Sequence, residues 1–276
     1  MAVHAPTQTE VRAARPAAQA GLLTEIALVT RRNLLTILRT PQAIVPPLII
    51  SIFFLVIYNS TLGEAANFLP GLSGNSYLGF ILPLSIVSAS LSGSGIAAQN
   101  LVRDIETGYF DKLLLTPVSR TALLLGPIIA GAIILGLQAA LVVLVATFMG
   151  LESATGILGI LALIGLAVLL GLGFAGFTVS AALGSGSAAV TQAASFLFFP
   201  LTFLTASFVP LELLSGWLEV AARINPITYV LEAMRSLLNE GWNTTALLQG
   251  VVACVILGVA MYALAAYALR VRTRRK

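Results

Sequence analysis

The chain has 276 residues, of which 58% are hydrophobic and 9% charged, with a formal net charge of +4. Soluble domains carry about 25% charged residues, so an ordinary water-facing surface is excluded and one membrane domain is the natural count. The single cysteine, Cys254, lies in an apolar run, which excludes a disulfide framework and a thiolate metal site.

Residues 1–20 are rich in Ala, Pro, Gln and Thr and read as a flexible tail that carries the only histidine, His4. No signal peptide is expected, because the first long apolar run begins near Ala43 and others follow it. Residues 21–40 read as an amphipathic helix on the membrane surface. At about 100° per residue, Leu22, Leu23, Ile26, Val29, Leu34 and Ile37 share one arc, and Glu25, Arg31, Arg32 and Arg39 share another. Leu28, Leu35 and Leu38 interrupt the polar arc. The arginines are placed to meet anionic headgroups, so membrane lipid is an expected partner, and Pro41 ends the helix.

A helix needs about 20 apolar residues to cross ~30 Å of hydrocarbon. Six stretches qualify: 43–62, 77–99, 123–149, 156–183, 188–209 and 246–268, none containing Asp, Glu, Lys, Arg or His. The expected fold is an all-α integral membrane protein with six transmembrane helices forming one domain over 41–276. With the N-terminus in the cytoplasm, Arg223 and Arg235 fall outside and the other thirteen of the 15 Lys and Arg fall inside. The excess of inside charge orients the chain with both termini cytoplasmic. Residues 210–245 are too polar to cross and too apolar for a simple loop.

Two glycine patterns lie inside apolar spans. Gly171, Gly173 and Gly176 fit G-x-G-x-x-G, but without the strand–turn–helix context of a dinucleotide site they read as close helix packing through small residues. Leu91–Gly95 (LSGSG) likewise sits within a span. A P-loop requires Gly-Lys-Ser/Thr, and the two lysines, Lys112 and Lys276, follow Asp111 and Arg275. All carboxylates lie outside the six apolar cores, which disfavours a carrier that moves its coupling ion on an intramembrane acid.

The stretch 101–120, LVRDIETGYFDKLLLTPVSR, is placed in the cytoplasm by the charge count. Periodicity alone makes it an interfacial loop helix broken at Thr116-Pro117. Its residues resemble the R-[DE]-x-E-T-G-x-x-[DE]-x-L-L-x-T-P-V-[ST]-R segment of the ABC type-2 permeases, including the daunorubicin-resistance-like exporters. The match runs through Arg103, Asp104, Glu106, Thr107, Gly108, Asp111, Leu113, Leu114 and Thr116 to Arg120. A second match, from Phe208-Val-Pro210 through Trp217 to Asn225-Pro226-Ile-Thr-Tyr229 and Glu232-Ala-Met-Arg235, resembles the same family's ending, with Ser215 where Pro is common.

The resemblance implies a coupling helix at about 101–118 that docks on a separate ATPase subunit, with Lys112 and Pro117 among its residues. It also implies short re-entrant helices at about 210–245, between spans five and six, in a bacterial inner-membrane protein. The implied complex has two ATPase copies, which hold ATP and Mg, and a second permease copy or paralogue. This chain would bind no cofactor, and no nucleic acid, metal or catalytic group enters the expectation. The uncharged spans suit an amphipathic drug, lipid or lipid-linked glycan. Ser85, Ser88 and Ser92 in the second span, and Thr191, Gln192, Ser195 and Thr202 in the fifth, are the polar candidates for its path. Such side chains also bond their own helix or a neighbour. The alternatives are an ATP-independent secondary carrier or channel, and a lipid-modifying enzyme, for which a pair of acid–base residues is lacking.

Overall fold

The computed structural model describes residues 21–62, 77–197, 199–205 and 214–274, which are helical or short connections among helices. In hydrocarbon each backbone N–H and C=O needs an internal partner, and a helix supplies them all within one segment. Five helical stretches among the described residues are long and apolar enough to cross a membrane. They are α2 (Pro41–Leu62), α3 and α4 in tandem (Tyr77–Gly93, Gly95–Glu106), α6 (Arg120–Phe148), α7 (Gly156–Ser185) and α12 (Thr244–Arg274). The sixth expected span, 188–209, is described as two shorter helices, α8 (Ala188–Leu197) and α9 (Phe199–Phe203). Its end lies outside the described residues, as do the 1–20 tail and Phe208–Pro210.

The α3–α4 pair is almost wholly buried and forms the centre, whereas α2 and α12 expose most of their apolar surface at the periphery. Thirty residues span Tyr77 to Glu106, about 45 Å of helix against ~30 Å of hydrocarbon. The last two to three turns of α4 therefore project beyond the apolar layer. The tandem is interrupted at Ser94, whose hydroxyl bonds Leu91 O at 2.8 Å while Thr178 of α7 donates to Ser94 O at 2.8 Å. A polar break inside the core is thus satisfied by a neighbouring helix.

The glycines of the G-x-G-x-x-G pattern are helix-packing positions. A Cβ on Gly171 would meet Leu135 of α6 at 2.9 Å, one on Gly173 would meet Leu257 of α12 at 2.9 Å, and one on Gly176 would meet Met261 of α12 at 3.2 Å. The absence of side chains lets α7 approach both neighbours.

The helix expected at 21–40 is α1 (Leu22–Leu38), and its buried face keeps Ile26, Val29, Leu34 and Ile37 of the expected apolar arc, adds Thr30 and Asn33, and leaves out Leu22 and Leu23. Thr30, Asn33 and Ile37 are buried with Ile26, Val29 and Leu34 half-buried beside them, while Leu22, Leu23, Leu28, Leu35 and Leu38 are exposed. The leucines that interrupt the polar arc thus form a second apolar stripe, open to the surroundings. Arg31 and Arg39 are exposed on the same helix.

Helix α1, the end of α4, the start of α6 and the end of α12 meet at one end of the bundle, where Arg272 donates to Leu183 O of α7 at 3.1 Å. The α6–α7 connection lies at the opposite end, where Ala154 N donates to Leu238 O at 2.8 Å and Thr155 Oγ1 to Leu237 O at 2.6 Å. Arg223 and Arg235 belong to this opposite end, and the other described arginines and Lys112 to the first, which we call the basic end.

Candidate functional site

At the basic end, residues 101–118 form two helical pieces rather than one continuous helix. Helix α4 stops at Glu106, Gly108 adopts a left-handed φ of 69°, and α5 runs from Tyr109 to Leu114. Glycine populates that region without the Cβ penalty, so the chain turns sharply and the second piece starts in a new helical phase. Thr116 then closes α5 by donating to Leu113 O at 2.6 Å. Pro117 breaks the chain, and Ser119 caps α6 by accepting from Ala122 N at 3.2 Å.

The turn decides which side chains face outward. Phe110 is buried, and Leu114 packs half-buried against the same cluster of Leu101, Val102, Leu124 and Val179. Leu115, one position on, is 88% exposed. On the same segment Arg103, Glu106, Thr107, Lys112, Thr116 and Pro117 are exposed. Tyr109 is partly exposed, and Asp104 and Asp111 are half-buried. The tip therefore presents an exposed leucine on a segment that carries exposed side chains of both charge signs, and the leucine before it belongs to the chain's own core.

Helix α1 fixes this tip from the side. Arg32 pairs with Asp104 at 2.7 Å, and its guanidinium carbon lies 4.4 Å from the centroid of the Tyr109 ring. Glu25 accepts from the backbone N–H of Ser119 at 2.9 Å. That bond, with a contribution from the Ser119 hydroxyl, holds the Glu25 carboxyl below its ordinary pKa.

The candidate short helices of 210–245 are at the opposite end: α10 (Trp217–Ile224), α11 (Pro226–Arg235) and a π-helical turn, Ser236–Glu240. Asn225 organises them. Its Oδ1 accepts from Ile227 N at 3.0 Å, and its Nδ2 donates to Leu201 O at 2.7 Å and Leu204 O at 3.2 Å. Pro226 occupies the first turn of α11, where a missing N–H costs nothing. Tyr229 reaches back across the turn, its hydroxyl donating to Arg223 O at 2.7 Å. Arg235 is 7% exposed, donates from Nε to Phe80 O at 3.0 Å and stacks its guanidinium carbon 3.6 Å from the Phe80 ring centroid. It thus ties α11 to the start of the central helix. Trp217 and Trp242, the two tryptophans of the chain, are both largely exposed at this end, where membrane–water interfaces favour amphipathic rings. Pro210 lies outside the described residues.

The polar residues of the second and fifth spans divide. Ser85 is buried and bonds Ile81 O at 3.5 Å, and Thr191 is buried and bonds Ser187 O at 2.8 Å, each along its own helix. Ser88 is half-buried, Ser92 lies in the last turn of α3, and Thr202 is buried in α9. Gln192 and Ser195, by contrast, line a cavity of about 300 Å³ between α2, the α3–α4 tandem and α8.

The ABC-2 type transporter family model matches residues 24–239. The chain belongs to the ABC-2 type transporter family. Among curated relatives, the "Probable doxorubicin resistance ABC transporter permease protein DrrC" of Mycobacterium tuberculosis is 27% identical over 208 residues, 75% of this chain and 74% of that protein. The "Daunorubicin resistance ABC transporter permease protein DrrB1" of Streptomyces coeruleorubidus is 26% identical over 259 residues, 91% and 86% of the two chains. With its apolar helices, this ABC-2 protein is a multi-pass membrane permease component of an ABC transporter.

Tyr109, the pairing of Arg32 with Asp104, and Gln99, which lines the cavity and hydrogen-bonds Gln192, were not legible in the sequence, and the leucine run 113–115 did not show which leucine faces out. For Leu115 the signal was the three-leucine run, since one of three consecutive residues after a turn must face away from the core. For Arg32 and Asp104, 72 positions apart, no local signal existed.

Proposed function

We propose that this ABC-2 permease is the membrane subunit of an ATP-driven exporter. It moves an amphipathic cargo, such as a drug, lipid or lipid-linked glycan, from the cytoplasm or inner leaflet, using ATP hydrolysed by a separate subunit. The observation that carries the reading is the basic-end tip: Leu115 stands 88% exposed on a segment that also bears exposed charged side chains and is braced by α1. A bare leucine on a water-facing tip suits a partner's apolar cleft. The surrounding charges suit a polar rim that sets orientation more than affinity.

In this reading the basic end is cytoplasmic, with both termini there. Residues 188–209 complete a sixth span, and α10, α11 and the π-helical turn re-enter from the outer face. Two permeases, identical or paralogous, act with two ATPase subunits, which bring ATP and Mg. The tip moves as a unit with α4, and α4 continues into the central helix, so a displacement at the ATPase reaches the membrane core. The chain itself carries no ATPase site. The test is ATP-dependent accumulation, in inverted vesicles containing the permease and its ATPase, of two amphiphiles: a fluorescent neutral glycolipid, and doxorubicin, a cation that the relatives' names bring into the trial. Uptake that persists without ATP or ATPase would favour a secondary carrier or channel.

A further inference from the structure

We infer that the cavity between α2, α4 and α8 is a cargo site that selects an uncharged, hydrogen-bonding headgroup, read by the amides of Gln99 and Gln192. The inference deepens the exporter reading by naming a cargo class, and it rests on that reading for its orientation.

Three observations carry it. The first is the polarity gradient. Each of the three helices brings a glutamine to the cavity near its basic end and an apolar residue deeper in: Gln42 then Ile50 on α2, Gln99 then Leu91 on the tandem, and Gln192 then Phe196 on α8. Eight residues of helix on α2 and on the tandem rise about 12 Å, and four on α8 about 6 Å, so the glutamines sit at about headgroup height and the apolar residues deeper in the same leaflet. That is the profile of an amphiphile standing in the inner leaflet.

The second is charge. Among the described residues, no acidic or basic side chain lines the cavity. A charged headgroup drawn away from water would meet no counter-ion there, whereas an amide or hydroxyl group finds both donors and acceptors.

The third is the amide pair itself. Gln99 Nε2 donates to Gln192 Oε1 at 2.5 Å, joining α4 to α8. Whichever way the two amides are turned, one bond between them leaves an acceptor on one and a donor on the other. Neighbouring Ser195 is not in competition, because its hydroxyl bonds Thr191 O at 3.1 Å and it packs against Gly95. A cargo hydroxyl or amide can thus bridge the two glutamines, or replace their mutual bond. Gln99 stands one helical turn before Arg103, so occupancy acts on the helix that ends in the coupling tip.

The test uses the full-length permease in phosphatidylcholine nanodiscs and a dodecyl glucoside carrying a diazirine in its chain. Cross-linked residues are mapped by mass spectrometry. Labelling is expected at Ile50 and Phe196 well above that at lipid-facing Val255 of α12. Dodecyl maltoside should displace the probe, while dodecyl sulfate and dodecyltrimethylammonium should be at least tenfold weaker. Gln99→Leu and Gln192→Leu should each lower the specific labelling about fivefold or more. Should a leucine variant fail to assemble, Gln192→Glu serves: the new carboxylate should make dodecyltrimethylammonium the stronger competitor. Uniform labelling of all lipid-facing helices, equal displacement by the charged amphiphiles, or unchanged labelling in assembled Gln99→Leu would overturn the proposal. No ATPase enters this assay, so its failure leaves the exporter reading standing, and loss of that reading leaves the binding result intact.

Discussion

The guanidinium of Arg32 lies 2.7 Å from the Asp104 carboxylate and covers the ring of Tyr109, so one side chain of α1 holds both helical pieces of the tip. The pair is partly screened, its side chains being 38% and 17% exposed. A double-mutant cycle should therefore give a coupling energy of about 1 kcal/mol, the upper part of the range for exposed pairs. Arg32→Glu alone should lower the thermal midpoint, and Arg32→Glu with Asp104→Arg should recover most of the loss. Arg31 and Arg39 are exposed on the same helix, and under the proposed membrane-surface placement each would add about 1 kcal/mol of attraction to an anionic surface. Their replacement by Glu should weaken binding to anionic lipid without a rescue by Asp104→Arg.

The Glu25–Ser119 contact has a defined pH window. Its folded-state pKa is lowered by the Ser119 N–H, so its contribution is full above the unfolded carboxyl value and is lost as pH falls through the lowered one. Hydrogen exchange at the Ser119 amide, corrected for intrinsic rate, should show constant protection from pH 8 down to about 5, with loss only in stronger acid. Glu25→Ala should remove the protection at every pH. Equal protection in the variant would show that the α1–α6 junction is held by packing alone.

Asn225 offers a test of the short-helix end. Asn225→Ala removes a cap and two donors to Leu201 O and Leu204 O, a loss of about 2–3 kcal/mol. Asn225→Asp keeps the cap and loses only the donors, so it should fall between alanine and wild type. Thermal unfolding in detergent gives the order, and equal midpoints for the two variants would refute the division of roles.

The parts of this fold legible in the sequence were those governed by one-dimensional rules. Long uncharged runs gave α2, the α3–α4 tandem, α6, α7 and α12, because the hydrocarbon acts on every residue of a span alike. The Asn225-Pro226 pair marked its own turn, since cap and proline act locally. What periodicity missed depended on phase or distance. Gly108 resets the helical phase, so the run Leu113-Leu114-Leu115 could not be divided into core and surface before the turn was seen. On α1 the arc of Ile26, Val29, Leu34 and Ile37 was legible, but Thr30 and Asn33 share its buried face, and a hydrophobic count discards polar residues. Gln99 was passed over because its partner Gln192 is 93 positions away.

Topology is open to a direct check. In a Cys254→Ala background, Trp242→Cys should react with an impermeant maleimide in intact cells, because Trp242 is exposed at the end assigned to the outside. Thr273→Cys should react only after the cells are opened. Labelling of Thr273→Cys from outside would mean an odd number of crossings, and residues 188–209 would then not complete a sixth span.

Coupling through the tip is the central claim, and two adjacent leucines separate it from a simple loss of fold. Leu115→Asp places a carboxylate on a side chain already exposed, so the permease should keep its stability within about 0.5 kcal/mol. Leu114→Asp puts the same group against Phe110 and Val179, and should destabilise the permease itself by about 2–4 kcal/mol. The decisive measurement is capture of the ATPase subunit by purified Leu115→Asp permease, alongside cargo-stimulated ATP hydrolysis in proteoliposomes. The expected result is a stable permease that binds its ATPase at least tenfold more weakly and shows no stimulation. Wild-type capture with wild-type stimulation would contradict it.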